Sequence, residues 1–328
     1  MQLILQSFAI LFLAASCAFN GSSQDVHFTP TETWSLDVQG KPLKLTAINT
    51  GSIQIKQCHL ENCKDEDSSF PRRLISILLD STPAPKRLPI LTYLIQHPEG
   101  NFLIDTGADP DWNNEKSWEC SARSHFAAKR IADVQYQETN SFIQELRDLG
   151  VLDALHGIII THAHFDHTGN LRNLKAQQYI IGKGDIDNHD KIGAVKCKYL
   201  EGLPLTEAPF AAPNDQVSDP YAKSLRSTPV YLTKDRSLRY YVSPGHTPGS
   251  IVVVQSTSQG DMVFVGDITF SGKDIKADST VAGMHFNIPQ IREAHRALRE
   301  LQTTQRLVLL PSHDEEISHR MNRFILRK

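Results

Sequence analysis

Apolar residues along this chain fall into two patterns: short continuous runs, and stretches in which they return every three or four positions. The first pattern reads as buried strands and the second as helices packed by one face. "LTYLIQ" (91–96) and "NFLID" (101–105) flank "HPEG", which predicts a hairpin. "TNSFIQELRDLGV" places Phe142, Ile143, Leu146 and Leu149 at helical spacing, with Thr139 or Asn140 able to cap it. "GIII" (157–160) and "QYII" (178–181) read as buried strands, and "RYYVS", "SIVVVQ" and "MVFVG" as a meander of short ones. "IPQIREAHRALRELQ" puts Ile291, Ala294, Leu298 and Leu301 on one helix face, with Pro289 near its start. "RLVLL" (306–310) is the last strand.

Strands and helices in alternation predict an α/β fold in two halves, roughly 40–180 and 235–328. Residues 19–40 read as a polar lead-in to a single domain over 41–328. The stretch 182–235 is rich in Pro, Asp and Lys and weakly periodic, and is expected to be an insertion or lid. No repeat of 20–50 residues interrupts this picture.

Composition narrows the function. The 328 residues are 40% hydrophobic, ample for a large core. A net charge of −3 and a pI near 6.5 offer no electrostatic reason to bind nucleic acid. The basic clusters "KRIADVQ" and "RMNRFILRK" read as solvated surface. At the N-terminus an apolar run from Leu3 to Ala15 is broken only by Gln6 and Ser7. It is short for a membrane span and small residues follow it, so residues 1–18 read as a signal peptide. "LAASC", ending at Cys17, resembles a lipobox with Ala14 where leucine is preferred, so a lipid anchor at Cys17 competes with a soluble signal cut near Ala18. Export to the periplasm or beyond is expected. The remaining cysteines, Cys58, Cys63, Cys120 and Cys197, could then form two disulfides in three connectivities. "CHLENC" lacks a second pair and reads as disulfide or free thiol before a zinc knuckle.

One stretch carries the chemistry. "THAHFDHTGN" packs His162, His164, Asp166 and His167 directly behind an apolar strand. Such groups are costly to bury unless they hold something. His162 and His164 are two apart and point the same way on extended backbone. Asp166 and His167 follow at a turn and can face a second direction, so one loop can feed two neighbouring cations. Three further candidates also follow strands: His246 in "SPGHTPGS", Asp267 ending "MVFVGD", and His313 in "PSHDEE". Imidazole and carboxylate suit two divalent ions, zinc first, with manganese, iron or cobalt as alternatives. His27, His59, His97, His125, His156, His189, His285, His295 and His319 read as ordinary surface or core histidines.

From about residue 90 onward, "FLIDTGADP", "THAHFDHTGN", "PGHTPGS", "VGD" and "PSHD" resemble, in order, the successive motifs of the metallo-β-lactamase superfamily. The resemblance implies a four-layer αββα sandwich with a dinuclear site at one edge. It implies that His162, His164 and His246 bind one metal, that Asp166, His167 and His313 bind the other, and that Asp267 bridges them. Asp105 in "DTG" would be the buried aspartate that braces the metal loops. Two cations about 4 Å apart can hold a hydroxide for attack at neutral pH, with Asp166 or Asp267 handling the proton. A serine route has little support, since "GxSxG" is absent.

Within the superfamily the chain looks most like the N-acyl homoserine lactone lactonases, in its "LPILTYLIQHPEGNFLIDTGADPDWNN" segment, its metal loop and its "SHDEE" ending. The expected substrate is therefore a small lactone or ester, and the expected role quorum quenching. The interval from His167 to His246 is longer than usual for that branch, and the segment 182–235 absorbs the difference. A second departure is chemical: that branch carries a tyrosine three residues after the bridging aspartate, where this chain has Phe270, which cannot donate a hydrogen bond. Aryl esters, phosphotriesters or thioesters remain alternative substrates of the same metals. A non-hydrolytic binding protein, or a di-iron redox protein with a flavin partner, is the competing class.

Overall fold

In the computed structural model, residues 31–60, 68–136, 142–214, 218–272, 275 and 282–326 are described. The expected signal segment, Cys17, Cys63 and the Thr139/Asn140 cap lie outside them.

Two sheets form the centre. The first runs in the order β1 (Glu32–Val38), β2 (Lys41–Ile55), β3 (Leu88–His97), β4 (Gly100–Ile104), β6 (Leu155–Ile159), β7 (Ala176–Gly182) and β8 (Leu205–Ala208). The far half of β2 also pairs with β5 (Ala132–Tyr136). The second sheet runs β13 (Leu307–Pro311), β12 (Gly260–Gly266), β11 (Ile251–Thr257), β10 (Leu238–Val242), β9 (Val230–Tyr231).

Alternation along the strands explains why they read as continuous apolar runs. Leu91, Tyr93, Ile95, Phe102, Ile104 and Ile159 face one cluster with Tyr240, Val253, Met262 and Phe264 of the other sheet. Their neighbours Ile90, Leu94, Leu103 and Ile158 face outward, into a cluster under helices. On the far side, Tyr241, Val252, Val254 and Val263 pack on Ile291, Ala294, Leu298 and Leu301 of the helix Ile288–Thr304. Each sheet is thus apolar on both faces, and the four layers expected from the family resemblance are present. The helix itself begins as its sequence predicts, with Pro in the first turn and the Asn287 side chain accepting from Gln290 N at 3.2 Å.

One expectation is corrected. Part of the supposed polar lead-in is β1, paired over its full length with β2 and burying Trp34, Leu36 and Val38. The stretch 182–235 supplies β8, β9 and four short helices, and its Tyr199, Tyr221 and Ala222 are buried. Its elements are four to six residues long apart from the two-residue β9, too short to show periodicity. Of the candidate cysteine pairings, the structure holds Cys120–Cys197, which ties the segment 115–121 to the helix Lys196–Tyr199.

Pairing direction decides where the chemistry gathers. β4 runs parallel to β6, and β12 parallel to β13. Asp105, the 161–167 loop, Asp267 and His313 therefore all emerge at the same edge of the sandwich, at the C-terminal ends of strands. The β10–β11 turn brings His246 to it.

Candidate metal centre

The seven side chains singled out in the sequence meet at that edge, in two groups. His162, His164, His246 and Asp267 form one, and Asp166, His167 and His313 the other. All are buried except His164, which is partly exposed.

In the first group three ring nitrogens converge. His162 Nε2 lies 2.9 Å from His164 Nδ1, and His246 Nε2 lies 3.1 Å from each. Ligands about 2.0–2.1 Å from a tetrahedral zinc are separated by about 3.3 Å, so the three outline one face of such a site. Their remaining nitrogens are engaged elsewhere, which aims the lone pairs inward. His164 Nε2 meets Ile192 O at 3.1 Å, His246 Nδ1 meets His285 Nδ1 at 2.9 Å, and His162 Nδ1 meets Thr161 Oγ1 at 3.2 Å.

Asp267 stands between the groups. Its Oδ2 faces His246 Nε2 at 3.7 Å and His162 Nε2 at 3.9 Å. Its Oδ1 is 3.3 Å from both His167 Nε2 and His313 Nε2. Asp166 completes the second group, with Oδ2 3.4 Å from His313 Nε2 and Oδ1 3.8 Å from His167 Nε2. His167 Nε2 and Asp267 Oδ1 are near each other but lack hydrogen-bond geometry, and both are buried without a partner among the described residues. Leaving two such atoms bare is costly. A cation reached by both removes the cost, so the donor set fits divalent metals.

Electrostatics agree. Burial pushes His162 and His246 far below the ordinary histidine range, and neighbouring imidazoles push the same way, so both rings are neutral, with a lone pair free for a cation. Burial acts alike on His167 and His313 but is outweighed by Asp267 and the other carboxylates; His313 rises to about 10. Burial pushes the Asp166 and Asp267 carboxyls up, yet the cationic His167 and His313 hold both below the usual range. In this charge state His167 and His313 balance the two carboxylates, and a metal ion taking Nε2 of each would displace its proton.

Braces lock the ligand loops. Asp105, at φ +61°, accepts from Thr161 N at 2.7 Å, Thr161 Oγ1 at 2.8 Å, His167 Nδ1 at 2.8 Å and Ser312 Oγ at 3.2 Å. One carboxylate thereby holds loops from both sheets. His313 Nδ1 donates to Pro89 O at 2.7 Å, freeing Nε2 for the site. Gly266, at φ +52°, precedes Asp267, and a Cβ there would lie 2.5 Å from Thr161 Oγ1. Only glycine lets the two ligand loops approach so closely.

Sequence reasoning missed three participants. Asp185 accepts from Ala163 N at 2.8 Å and Gly249 N at 2.6 Å, joining the first ligand loop to the turn that carries His246. His285 and His59, read as ordinary histidines, are buried beside the ligands. None belongs to a local motif; only the fold brings them in. A further group, His97, Glu99 and Asp235, sits at the far end of β3. Its Glu99 carboxylate is already taken by the backbone N–H groups of Lys234 and Asp235, at 2.7 and 3.0 Å.

A cleft of about 310 Å³ opens onto the centre. Ile53, Leu74, Leu78, Ile131, Phe165 and Met284 supply apolar walls, and Asp166, Asp267 and His313 reach its lining. Phe270 also lines it, with its ring 5.6 Å from that of His313.

Comparison with known proteins points the same way. Residues 85–313 match the family model described as "Metallo-beta-lactamase superfamily". A probable metallo-hydrolase, YybB, of Bacillus subtilis (strain 168) is 23% identical over 190 residues. That match covers 58% of this chain and 66% of that protein, just under two thirds of its length. The structure of an N-acyl homoserine lactone hydrolase with the product N-hexanoyl-L-homoserine at its catalytic metal centre superimposes with a TM-score of 0.62 at 16% identity, covering 84% of this chain and 94% of that one. AidC, a dizinc quorum-quenching lactonase in complex with its product, gives 0.55 at 16% identity, covering 87% and 90%. At such identities the likeness is one of fold.

Proposed function

The chain belongs to the metallo-beta-lactamase superfamily of metal-dependent hydrolases, and from that premise we propose that it opens a lactone ring of the N-acyl homoserine lactone kind. The seven converging side chains would hold two divalent cations, zinc first, with Asp267 between them. When bound, such a pair supplies a water acidic enough to attack near neutral pH and a Lewis acid for the substrate oxygen.

The observation that carries the lactone reading is the cleft. Its apolar walls offer an acyl chain about 25 cal/mol for each Å² taken out of water. Lys191 is the one lysine or arginine among its described lining residues, poor provision for a substrate rich in negative charge. The chain's own residues then do three things. The apolar walls exclude water around the acyl chain and orient the ring towards Asp166 and Asp267. Asp166 and Asp267 lie below the usual carboxylate range, so Asp166 Oδ2 or an Asp267 oxygen can take the proton lost in attack. The same carboxyl can return it to the departing alkoxide. The solved lactonases of the same fold support this choice of substrate.

We further propose that the protein is exported, to the periplasm or beyond, with Cys17 a candidate lipid anchor. The apolar run from Leu3 to Ala15 and the Cys120–Cys197 disulfide support an oxidising compartment.

A pH-stat screen of lactones, aryl esters, phosphotriesters and thioesters, with and without chelator, tests the function. Acid release from N-acyl homoserine lactones that chelator abolishes and zinc restores is expected. Response to phosphotriesters or thioesters alone would refute the lactone assignment and leave the metal centre standing.

A further inference from the structure

His59 lies outside the matched span 85–313, at the end of the short helix Gln57–Leu60, and no motif announces it. Its ring nevertheless lines the cleft, with the residue 8% exposed. Opposite it on the wall is Phe270, with ring centroids 6.1 Å apart in an edge arrangement. Its electrostatic neighbours are the ligands His164, Asp267, Asp166 and His313. It is held without being used. Its Nδ1 is buried and has no hydrogen-bond partner among the described residues.

The backbone around it is fixed with care. Gly283 N donates to His59 O at 2.9 Å. Arg73 Nε donates in turn to Gly283 O at 3.1 Å, and its Nη2 to His285 O at 2.5 Å. His285 is the residue that orients His246. A Cβ on Gly283 would fall 2.4 Å from Cys58 O, so the two segments touch backbone to backbone. His59 is therefore set on the same frame as a metal ligand, beside the place where a substrate must sit.

An imidazole at an apolar wall with no partner is an unusual expense. With Nδ1 sealed, contact with a ligand falls to Nε2, and burial keeps the ring uncharged by lowering its pKa to about 4. A neutral ring with its proton on Nε2 is a hydrogen-bond donor at every physiological pH.

Building on the lactonase reading, we propose that His59 is a catalytic residue of this enzyme, donating a hydrogen bond from Nε2 to an oxygen of the acyl substrate in the cleft. Phe270 beside it offers no such donor. No proton is transferred; the bond strengthens as charge builds on that oxygen, and one such donor contributes about 10²–10³ in kcat.

The test compares metal-loaded wild type with His59→Leu and His59→Asn on N-hexanoyl homoserine lactone and on an aryl ester. Binding of the ring-opened product, N-hexanoyl-homoserine, is followed by calorimetry. His59→Leu should retain the wild-type metal content, lose about 100-fold in kcat/KM, and bind product more weakly. His59→Asn, which keeps a donor, should recover at least ten of that factor. Wild-type kcat/KM and product affinity in His59→Leu would overturn the proposal while lactone turnover stands. If the wild type opens no lactone but cleaves the ester, the lactone assignment fails, and the same comparison on the ester decides for or against His59.

Discussion

Asp105→Asn is the most informative perturbation, because the change is one atom and its consequences can be counted. Three of the four hydrogen bonds to the carboxylate fall on Oδ2, from Thr161 Oγ1, His167 Nδ1 and Ser312 Oγ, and the fourth falls on Oδ1 from Thr161 N. An asparagine amide has one acceptor oxygen. If its nitrogen takes the Oδ1 place it confronts the Thr161 N–H, donor against donor. If it takes the Oδ2 place it confronts the His167 ring N–H. Either way a buried donor is stranded, which costs about 1–3 kcal/mol, and a charge-assisted bond worth about 1.5–3 kcal/mol is lost. The sum is a destabilisation of about 2.5–6 kcal/mol. His167 also loses the acceptor that holds its proton on Nδ1, and with it the free lone pair on Nε2. Metal affinity should fall about 10- to 100-fold, as when such supporting partners are removed elsewhere. Urea denaturation of metal-loaded and stripped protein gives the first number, and competition with a calibrated chelator the second. Stability within about 1 kcal/mol of wild type, together with unchanged metal affinity, would refute the bracing role.

Three further outcomes are expected. Burial raises the Asp185 carboxyl to about 6, so its contribution to stability is present below the unfolded value near 4 and is lost as pH rises through about 6. Wild type measured against Asp185→Asn by urea denaturation should therefore lose on the order of 3 kcal/mol between pH 4 and pH 7, and a flat difference would contradict the assignment. Removing the 77-residue link with Cys120→Ser and Cys197→Ser together should cost about 2–4 kcal/mol in the same assay, and no change would show that the bridge constrains little. Phe270→Tyr should raise lactone turnover without changing metal content, if a hydroxyl beside His313 can reach the substrate; a fall in kcat/KM would mean that the apolar ring is needed as it is.

How much of this was legible in the chain follows from where the signals lie. "THAHFDHTGN" holds four of the seven converging positions within six residues, and His246, Asp267 and His313 each follow an apolar run, so the members of the two groups could be read locally. The strands were legible because both sheets are buried on both faces. β1 was overlooked although Trp34, Leu36 and Val38 alternate, because the polar residues between them dominate its composition. Asp185, His59 and His285 were illegible in principle. Asp185 reaches Gly249 across 64 positions and His285 reaches His246 across 39, and no periodicity carries such a contact. The short helices of 182–235 failed for a related reason, since four or five residues make barely one helical turn.

The central claim is that His162, His164 and His246 face one cation, Asp166, His167 and His313 face another, and Asp267 touches both. Anomalous diffraction from crystals of the zinc-loaded protein, with data on both sides of the zinc absorption edge, tests it most directly. Two peaks about 3.5–4 Å apart, one at each group, are predicted. Well-folded crystals grown in excess zinc that show no peak among these seven side chains would contradict the account.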